Sequence, residues 1–411
     1  MAAGVLNPRG TGNCTGPVDA PGSGTKRAKG AKMKSMCKVG MAAFCACAAI
    51  MQPAGAQAQT SAVLYGVLST GIAYVSNEGG HGTARMVPGT MQNSRWGLRG
   101  TEDLGGGMRG VFVLENGFAL DDGKFQQGGR MFGRQAYVGL GSTTLGTLTL
   151  GRQYDAIYDT LDIMSAPVAA NGLAAHIGDN DNAFGSFRHN NALKYVSPNW
   201  GGLRAQASYA LSDSAAGANN RSFSFGATYD RGALRLASAF MQLDRPGLVA
   251  SGNANGAVTD DYAGAPFVLF HASPINPSAG VARQRVGGFA AGYGNDAWRA
   301  NAMVTQSRFD YQDGTGLRLT NYDLNATYNL TPSLVLGAAY VFTDGGYAGI
   351  DRRPKWHMGQ LSLDYYLSKR TDVYVYGVYQ KASASNADIY LFAPSSGDRQ
   401  TVLVAGIRHK F

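Results

Sequence analysis

Hydrophobic and polar residues alternate along most of the chain from residue 61 onward. Trp96 and Leu98, for example, fall on one face of an extended strand, whereas Arg95 and Arg99 fall on the other. Runs with this period of two are separated by turns rich in Gly, Asp, Asn, Pro and Ser or by longer polar loops, and none has the period of an amphipathic helix. The pattern predicts sixteen strands, over residues 61–76, 91–101, 108–120, 131–141, 146–153, 188–198, 202–212, 221–231, 233–243, 284–294, 297–308, 319–330, 333–343, 356–368, 371–383 and 399–411.

The connections between these strands alternate between short and long. Tight turns fall at 331–332 and 369–370, whereas 154–187 and 244–283 are long. An even strand number, with short turns on one rim and long loops on the other, is typical of outer-membrane barrels. We therefore predict an all-β fold, a 16-stranded antiparallel transmembrane β-barrel. Some strands, such as 371–379, are apolar on both faces, and their orientation stays open.

A soluble β-sandwich is the alternative fold, because it would show the same alternation with its apolar face turned inward. Sixteen strands in an open sandwich would, however, leave unpaired hydrogen-bonding edges. Charged residues make up 15% of the chain, against roughly 25% in a typical soluble domain. A helical membrane protein would instead carry apolar runs of about 20 residues. A barrel fits this composition because only every second strand residue faces lipid.

The first 58 residues differ in composition from the rest. They contain all four cysteines and six of the nine net positive charges, so the basic balance does not indicate nucleic-acid binding. Two lysines precede an apolar stretch at 39–51, and the small-x-small sequence Ala-Gln-Ala follows at 56–58. This arrangement predicts a secretory signal peptide. A membrane anchor is the alternative, but about 13 apolar residues are too few to span a bilayer.

The chain therefore divides into three predicted parts. Residues 1–32 form a non-native or disordered extension, residues 33–58 the signal peptide, and residues 59–411 the barrel. The last strand is amphipathic and ends in Phe411, and such an end resembles the signal that the outer-membrane barrel assembly machinery reads.

Short motifs in the barrel region carry a family resemblance. They are LYG at 64–66, SRWGLRG at 94–100, EDLGGG at 102–107, FGRQAYVGL at 132–140, TLGRQY at 149–154, LSKRT at 367–371 and RHKF at 408–411. As a set they resemble the Gram-negative general porins, specifically the β-proteobacterial trimeric type. The resemblance runs from about residue 61 to residue 411 and is weakest in the long loops.

The resemblance implies a trimer of barrels, each with its own water-filled channel. The third extracellular loop, at 154–187, would fold inward and narrow the pore. Family members carry arginines on the wall opposite this loop, and the matching residues are Arg95, Arg134 and Arg188. The loop tip, 163–176, lacks the carboxylates of enterobacterial relatives. The acidic candidates flank it instead: Asp155, Asp159, Asp162, Asp179 and Asp181.

Further charged residues are expected on the wall of the lumen, away from its narrowest point. They are Arg99, Arg109, Lys194, Arg408 and Lys410. Glu115 is a candidate lumen acid or a salt-bridged wall residue. For the three arginines of the narrow part, the alternatives are ordinary solvated strand residues or rim residues that pair with lipopolysaccharide.

The resulting hypothesis is an outer-membrane channel through which small hydrophilic solutes and ions diffuse. Arginine suits the constriction because it stays charged at physiological pH. Three arginines facing a loop tip without acids indicate a weak anion preference. The expected partners are outer-membrane lipid, lipopolysaccharide, two further copies of the chain and the barrel assembly machinery, but not nucleic acid.

No cofactor, metal or catalytic activity is expected. The six histidines have no ligand spacing, and the glycines at 105–107 precede no helix, which excludes a phosphate-binding loop. The competing functions are a channel dedicated to one substrate class, an outer-membrane barrel enzyme with a Ser-His-acid site, and a secreted β-sandwich binding protein.

Overall fold

A computed structural model describes residues 61–264 and 269–411. The predicted extension at 1–32 and the predicted signal peptide at 33–58 lie outside the described residues.

The described residues form one antiparallel sheet that closes on itself. β1 pairs with β2 and then with β3, each segment from β3 onward pairs with the next, and β17 returns to β1, so the sheet closes. The segments are β1 (Ser61–Glu78), β2 (His81–Pro88), β3 (Arg95–Gly105), β4 (Met108–Gly117), β5 (Gln135–Ser142), β6 (Gly146–Gln153), β7 (His189–Val196), β8 (Leu203–Ala210), β9 (Arg221–Arg231), β10 (Leu234–Asp244), β11 (Val281–Gly294), β12 (Trp298–Tyr311), β13 (Gly316–Thr331), β14 (Leu334–Ala348), β15 (Lys355–Tyr366), β16 (Thr371–Ser383) and β17 (Arg399–Lys410).

These segments make sixteen strands, because β2 and β3 are two halves of one interrupted strand. Residues 61–67 of β1 pair with β3, and residues from Thr70 onward pair with β2 on the same side. The predicted sixteen-stranded antiparallel barrel is thus confirmed. The sequence pattern missed β2, which has only eight residues and ends in a proline.

The two faces of the sheet are opposite in character to those of a soluble protein. On β13, Tyr322 and Leu324 are exposed, whereas Asn321 and Asp323 are buried on the enclosed face. The same rule settles the orientation of β16, which is apolar on both faces. There Tyr374, like the other even-numbered residues, faces inward.

Short helices occur in the two longest connections, where the sequence predicted none. They are α1 (Ala156–Leu161), α2 (Ala166–Ala169), α3 (Gly247–Ser251) and α4 (Asp260–Ala263). Each helix is too short to give a recognisable hydrophobic period. The start of α1 is fixed instead by its N-cap, in which the Asp155 carboxylate accepts hydrogen bonds from the amides of Ile157 (2.7 Å) and Tyr158 (3.2 Å).

Among the described residues, no helix combines the length and the apolar character that a bilayer crossing requires.

The connection between β6 and β7, which we call segment 154–188, packs on the enclosed face of distant strands. Glycines on those strands make the approach possible. A Cβ atom on Gly288 would lie 2.6 Å from Leu161, and one on Gly337 would lie 2.5 Å from the carbonyl oxygen of Ala170. Any larger residue at these two positions would therefore push the segment away from the wall.

Apolar side chains fill part of the enclosed space beneath this segment. Ile157, Leu161 and Phe187 are fully buried in one cluster with Met241 and Leu243 of the wall. The enclosed face is therefore not uniformly wet.

Buried polar groups fix the middle of segment 154–188 to the wall of the barrel. The amide of Ala166 donates to Asp323 (2.7 Å), and the amides of Leu173 and Ala174 donate to Gln360 (2.8 and 2.9 Å). Because these partners are buried, breaking one would leave an unsatisfied polar group, which costs about 1–3 kcal/mol.

His176 lies in the same anchor between two carboxylates. Its Nδ1 atom is 2.6 Å from Asp181, and its Nε2 atom is 3.6 Å from Asp323. Thr305 of β12 also donates to Asp181. Burial lowers the pKa of His176, but the two carboxylates outweigh burial and raise that pKa to about 10. The imidazolium thus ties the segment to β13.

The last residue, Phe411, extends the hydrogen-bonded pairing between β17 and β1 that closes the barrel. The amide of Phe411 donates to the Gly66 carbonyl (3.1 Å), and the amide of Gly66 donates to the Phe411 carbonyl (3.0 Å). The Phe411 ring lies over Gly66, since a Cβ atom there would be 2.3 Å from it.

Replacing Gly66 is expected to disrupt this closure. Gly66→Val should displace the Phe411 ring and lower the free energy of unfolding by about 1–3 kcal/mol, as overpacking does. Urea titration of the barrel refolded in detergent measures this change. The matched control is Gly359→Val on β15, where a Cβ atom meets nothing within 4 Å. Equal effects of the two substitutions would contradict the assignment.

The His176 anchor is expected to depend on pH. Because the pKa in the folded state exceeds the ordinary 6.5, the stabilisation is complete below about pH 6.5 and is lost as the pH rises to about 10. His176→Asn should therefore lower the free energy of unfolding by about 3 kcal/mol at pH 6 and by much less at pH 9.5. A difference that stays constant with pH would count against the anchor, and His357→Asn, at an exposed position, serves as the control.

Candidate functional site

A narrow opening of about 90 Å³ lies on the enclosed side of the sheet, between segment 154–188 and the strands that flank it. It contains all three arginines that the sequence singled out. The charged and aromatic residues that line it are Arg95, Arg134, Arg188, Arg408, Tyr154, Tyr158, Asp162 and Phe184.

The strands bring three of the arginines together because each stands where a strand begins. Arg95 is the first residue of β3, Arg134 directly precedes β5, and Arg188 directly precedes β7. These strands lie close together in the sheet and have short lengths of 8 to 11 residues. The three arginines therefore lie side by side at the ends of short strands, where the wall of the barrel is low.

Glu115 stands behind two of these arginines rather than in the opening. Its carboxylate is 2.7 Å from Nε of Arg134 and 3.6 Å from Nε of Arg95, and it accepts a hydrogen bond from Tyr65 (2.9 Å). Its side chain is only 5% exposed. This buried acid holds both guanidinium groups in place.

Arg188 is held by uncharged groups. It donates to the carbonyl of Ser186 (3.1 Å) and to the hydroxyl of Tyr154. Its guanidinium lies 4.6 Å from the centre of the Tyr154 ring, which stacks on Tyr158 at 3.8 Å. The aromatic pair thus supports the cation without neutralising it.

Arg408 of β17 also lines the opening, although the sequence placed it away from the narrowest point. Its guanidinium contacts Asp372 (3.0 Å) and Asp364 (3.5 Å), both of which are buried. The closure of the sheet explains this position, because it brings β17 next to β1 and close to β3.

The five acidic candidates of segment 154–188 have different positions. Only Asp162 lines the opening. Asp155 caps α1 and accepts a hydrogen bond from Asn182 (2.6 Å), and Asp159 pairs with Lys194. The remaining two, Asp179 and Asp181, hold the segment together: Asp179 accepts from the amides of Phe184 and Ser186 (3.0 Å each), and Asp181 pairs with His176.

The other charged candidates lie outside the lining. Arg99 and Arg109 share the enclosed face with Arg95 and Glu115, and the Arg99 guanidinium lies 5.2 Å from the Tyr65 ring centre. Lys194 donates to the Tyr154 carbonyl (3.2 Å). Lys410 pairs in register with Val67 of β1.

Sequence reasoning missed the aromatic pair, and strict alternation fails on one strand. Tyr154 directly precedes the Asp155 cap of α1 and Tyr158 lies in its first turn, where the two rings stack. On β7, a register shift near Asn191, whose φ is 53°, brings His189 onto the enclosed face although Leu193 is exposed. A bulge of this kind reverses the alternation.

Within the described part of the chain, no cluster of His, Cys, Asp or Glu is arranged to hold a metal ion.

Comparison with known proteins identifies the family. The family model described as Gram-negative porin matches residues 42–385. An outer membrane porin protein of Bordetella pertussis is 30% identical over 393 residues, which cover 87% of this chain and 96% of that protein. Both findings indicate a channel rather than an enzyme.

Solved structures agree in fold. An anion-selective porin from Comamonas acidovorans superposes with a TM-score of 0.69 at 25% identity and covers 86% of this chain and 100% of its own. The trimer form of OmpT from Vibrio cholerae gives a TM-score of 0.62 at 13% identity, covering 86% and 99%, a likeness that concerns the fold alone. The closed sheet, its apolar outer face and these relatives together show that the chain belongs to the Gram-negative porin family and is an outer-membrane diffusion channel for small hydrophilic solutes.

Proposed function

We propose that the opening between segment 154–188 and the arginine-bearing wall is the constriction of the channel, and that it gives the channel a weak preference for anions. The observation that carries this proposal is the composition of the lining. Four guanidinium groups and a single carboxylate, that of Asp162, face the opening.

The remaining acids near the opening support the same sign of selectivity. Glu115, Asp364 and Asp372 are buried behind the arginines with which they pair. A permeating ion therefore meets the guanidinium groups first, although the acids reduce the net field at a distance. For this reason the expected preference is weak rather than strong.

Segment 154–188 sets the size limit in this proposal. Its apolar packing against the wall and the His176 anchor hold it in one position, so the opening keeps a constant width. Solutes that fit would diffuse through, and the fixed charges on the two sides would orient dipolar solutes as they pass.

The relatives support the selectivity and the assembly that we propose. The Comamonas structure is named as an anion-selective porin, and the OmpT structure is a trimer form. We propose that this chain likewise forms homotrimers, that lipopolysaccharide surrounds its outer rim, and that Phe411 with the last strand is the signal for the barrel assembly machinery.

Removing one lining cation is expected to reduce the anion preference. Arg188 is the best target, because it has no carboxylate partner in the lining that its loss would leave unpaired. At about 8 Å in water one unit charge contributes about 0.5 kcal/mol, attractive for Cl⁻ and repulsive for K⁺, so Arg188→Gln should lower the Cl⁻/K⁺ permeability ratio by a factor of about five. Reversal potentials in a KCl gradient across a planar bilayer measure this ratio.

Two further variants sharpen this measurement. Asp162→Asn should shift the ratio in the opposite direction, toward anions, while Arg99→Gln should leave it unchanged, since Arg99 lies on the enclosed face outside the lining. A wild-type channel that prefers cations, or an Arg99 variant that behaves like the Arg188 variant, would refute the proposed constriction.

The proposed trimer predicts the pattern of channel insertion. The chain from residue 59 onward, refolded and added to a planar bilayer, should raise the conductance in events made of three equal steps, one for each barrel. Chemical cross-linking of the same preparation should give a three-chain band. Single independent steps together with a monomer band would exclude the trimer.

A further inference from the structure

Three arginines stand directly opposite one another on the outer face of neighbouring strands. In the register of the sheet, Arg285 of β11 faces Arg308 of β12, and Arg308 faces Arg318 of β13. We call these residues the arginine row. Like charges directly opposite each other on one face of a sheet are destabilising, so the row calls for a compensating group.

At neighbouring positions on the same end of the barrel, an aspartate separates two arginines that would otherwise repel each other. Asp244 of β10 stands between Arg221 and Arg283 in register and contacts them at 2.8 and 3.3 Å. At this position the Asp244 carboxylate compensates the charges of the two arginines that flank it. In the arginine row, the corresponding central position is occupied by Arg308.

The side chains around the row neutralise it only in part. Asp310 is 3.5 Å from Arg285, and Nε of Arg308 donates to the uncharged Gln306 (2.7 Å). Arg318 forms no ion pair with any residue of 61–264 or 269–411. At least one guanidinium of the row is thus free to bind an external anion.

A polar depression of about 570 Å³ adjoins the row. Arg308 and Arg318 line one side of it, and Arg353 and Lys355 line the other. Its floor includes Gly346, which stands opposite Arg318 and whose missing side chain leaves open space. Lys355 is paired with Asp344 at 3.4 Å, but the depression still carries more basic than acidic groups.

The position of the row along the strands points to lipid. On the same face of β13, Tyr322 lies four residues after Arg318, toward the middle of the strand, and its ring stacks on that of Phe342 with the ring centres 6.0 Å apart. Four strand residues span about 13 Å. The order from the middle of the barrel outward is therefore aliphatic, aromatic, small polar and then arginine, which matches the order of acyl chains, interface and headgroups in a bilayer.

We propose that the arginine row and its depression bind the phosphate groups of a phosphorylated glycolipid in the outer leaflet. The row lies on the rim that carries the long connections, and guanidinium groups match the geometry of phosphate oxygens. A bound phosphate also removes the repulsion between the opposed arginines. The proposal depends on the outer-membrane location and not on the selectivity of the constriction.

The test uses the refolded barrel in detergent with EDTA, so that divalent cations do not bridge lipid and protein. Native mass spectrometry compares the binding of lipopolysaccharide with that of its dephosphorylated form. Wild-type barrel should bind the phosphorylated form, and the double variant R308Q/R318Q should bind it about tenfold more weakly, because charge-assisted hydrogen bonds are lost. The control Arg283→Gln, on the same rim and face, should bind like wild type.

Two additional readouts separate a binding role from a structural one. Without lipid, R308Q/R318Q should unfold at an equal or higher urea concentration than wild type, since the opposed charges are gone, and its reversal potential should be unchanged. Equal binding of dephosphorylated glycolipid, full competition by millimolar inorganic phosphate, or dissociation of the oligomer in the double variant would each overturn the proposal.

Discussion

Closure of the sheet is the constraint on which the rest of this structure depends. A bilayer core offers no water to satisfy backbone amides and carbonyls, so a β-structure can cross it only without a free edge. Here β1 carries the closure, since it pairs with β17 on one side and with both halves of the interrupted second strand on the other. Gly66 is part of this constraint, because the ladder ends with the Phe411 ring lying over it.

A closed sheet of sixteen strands encloses more space than its own side chains fill, and the chain controls that space with its connections. Segment 154–188 approaches the far wall at positions where the wall has no side chains, such as Gly288 and Gly337. It is then fixed by buried polar contacts to Asp323 and Gln360. The apolar clusters behind it stabilise the barrel, and the narrow opening in front of it is the constriction that we propose.

The period-two pattern was sufficient to predict the strands and the faces of most of them, because it reflects a local rule that each strand obeys by itself. Arg95, Arg134 and Arg188 were singled out by the family resemblance and not by this pattern. The pattern could not predict the bulge near Asn191, which depends on how β6 and β7 pair. Nor could it place Arg408 or distinguish Asp162 from the four other acids, because those positions follow only from closure and from the path of segment 154–188 across the barrel.

The charge distribution on the two faces of the wall follows from the different media that they meet. On the enclosed face, buried acids such as Glu115 stand behind the arginines and hold them in place, so the guanidinium groups are fixed but only partly neutralised. On the outer face no buried acid stands behind the arginine row, and only Arg285 has a carboxylate nearby, the exposed Asp310 at 3.5 Å. Fixed cations suit a channel wall, where the field must be present before the solute arrives. Cations that face one another with little compensation suit a surface where the proposed anionic partner is always present in the membrane. Arginine therefore serves different purposes on the two faces of the wall.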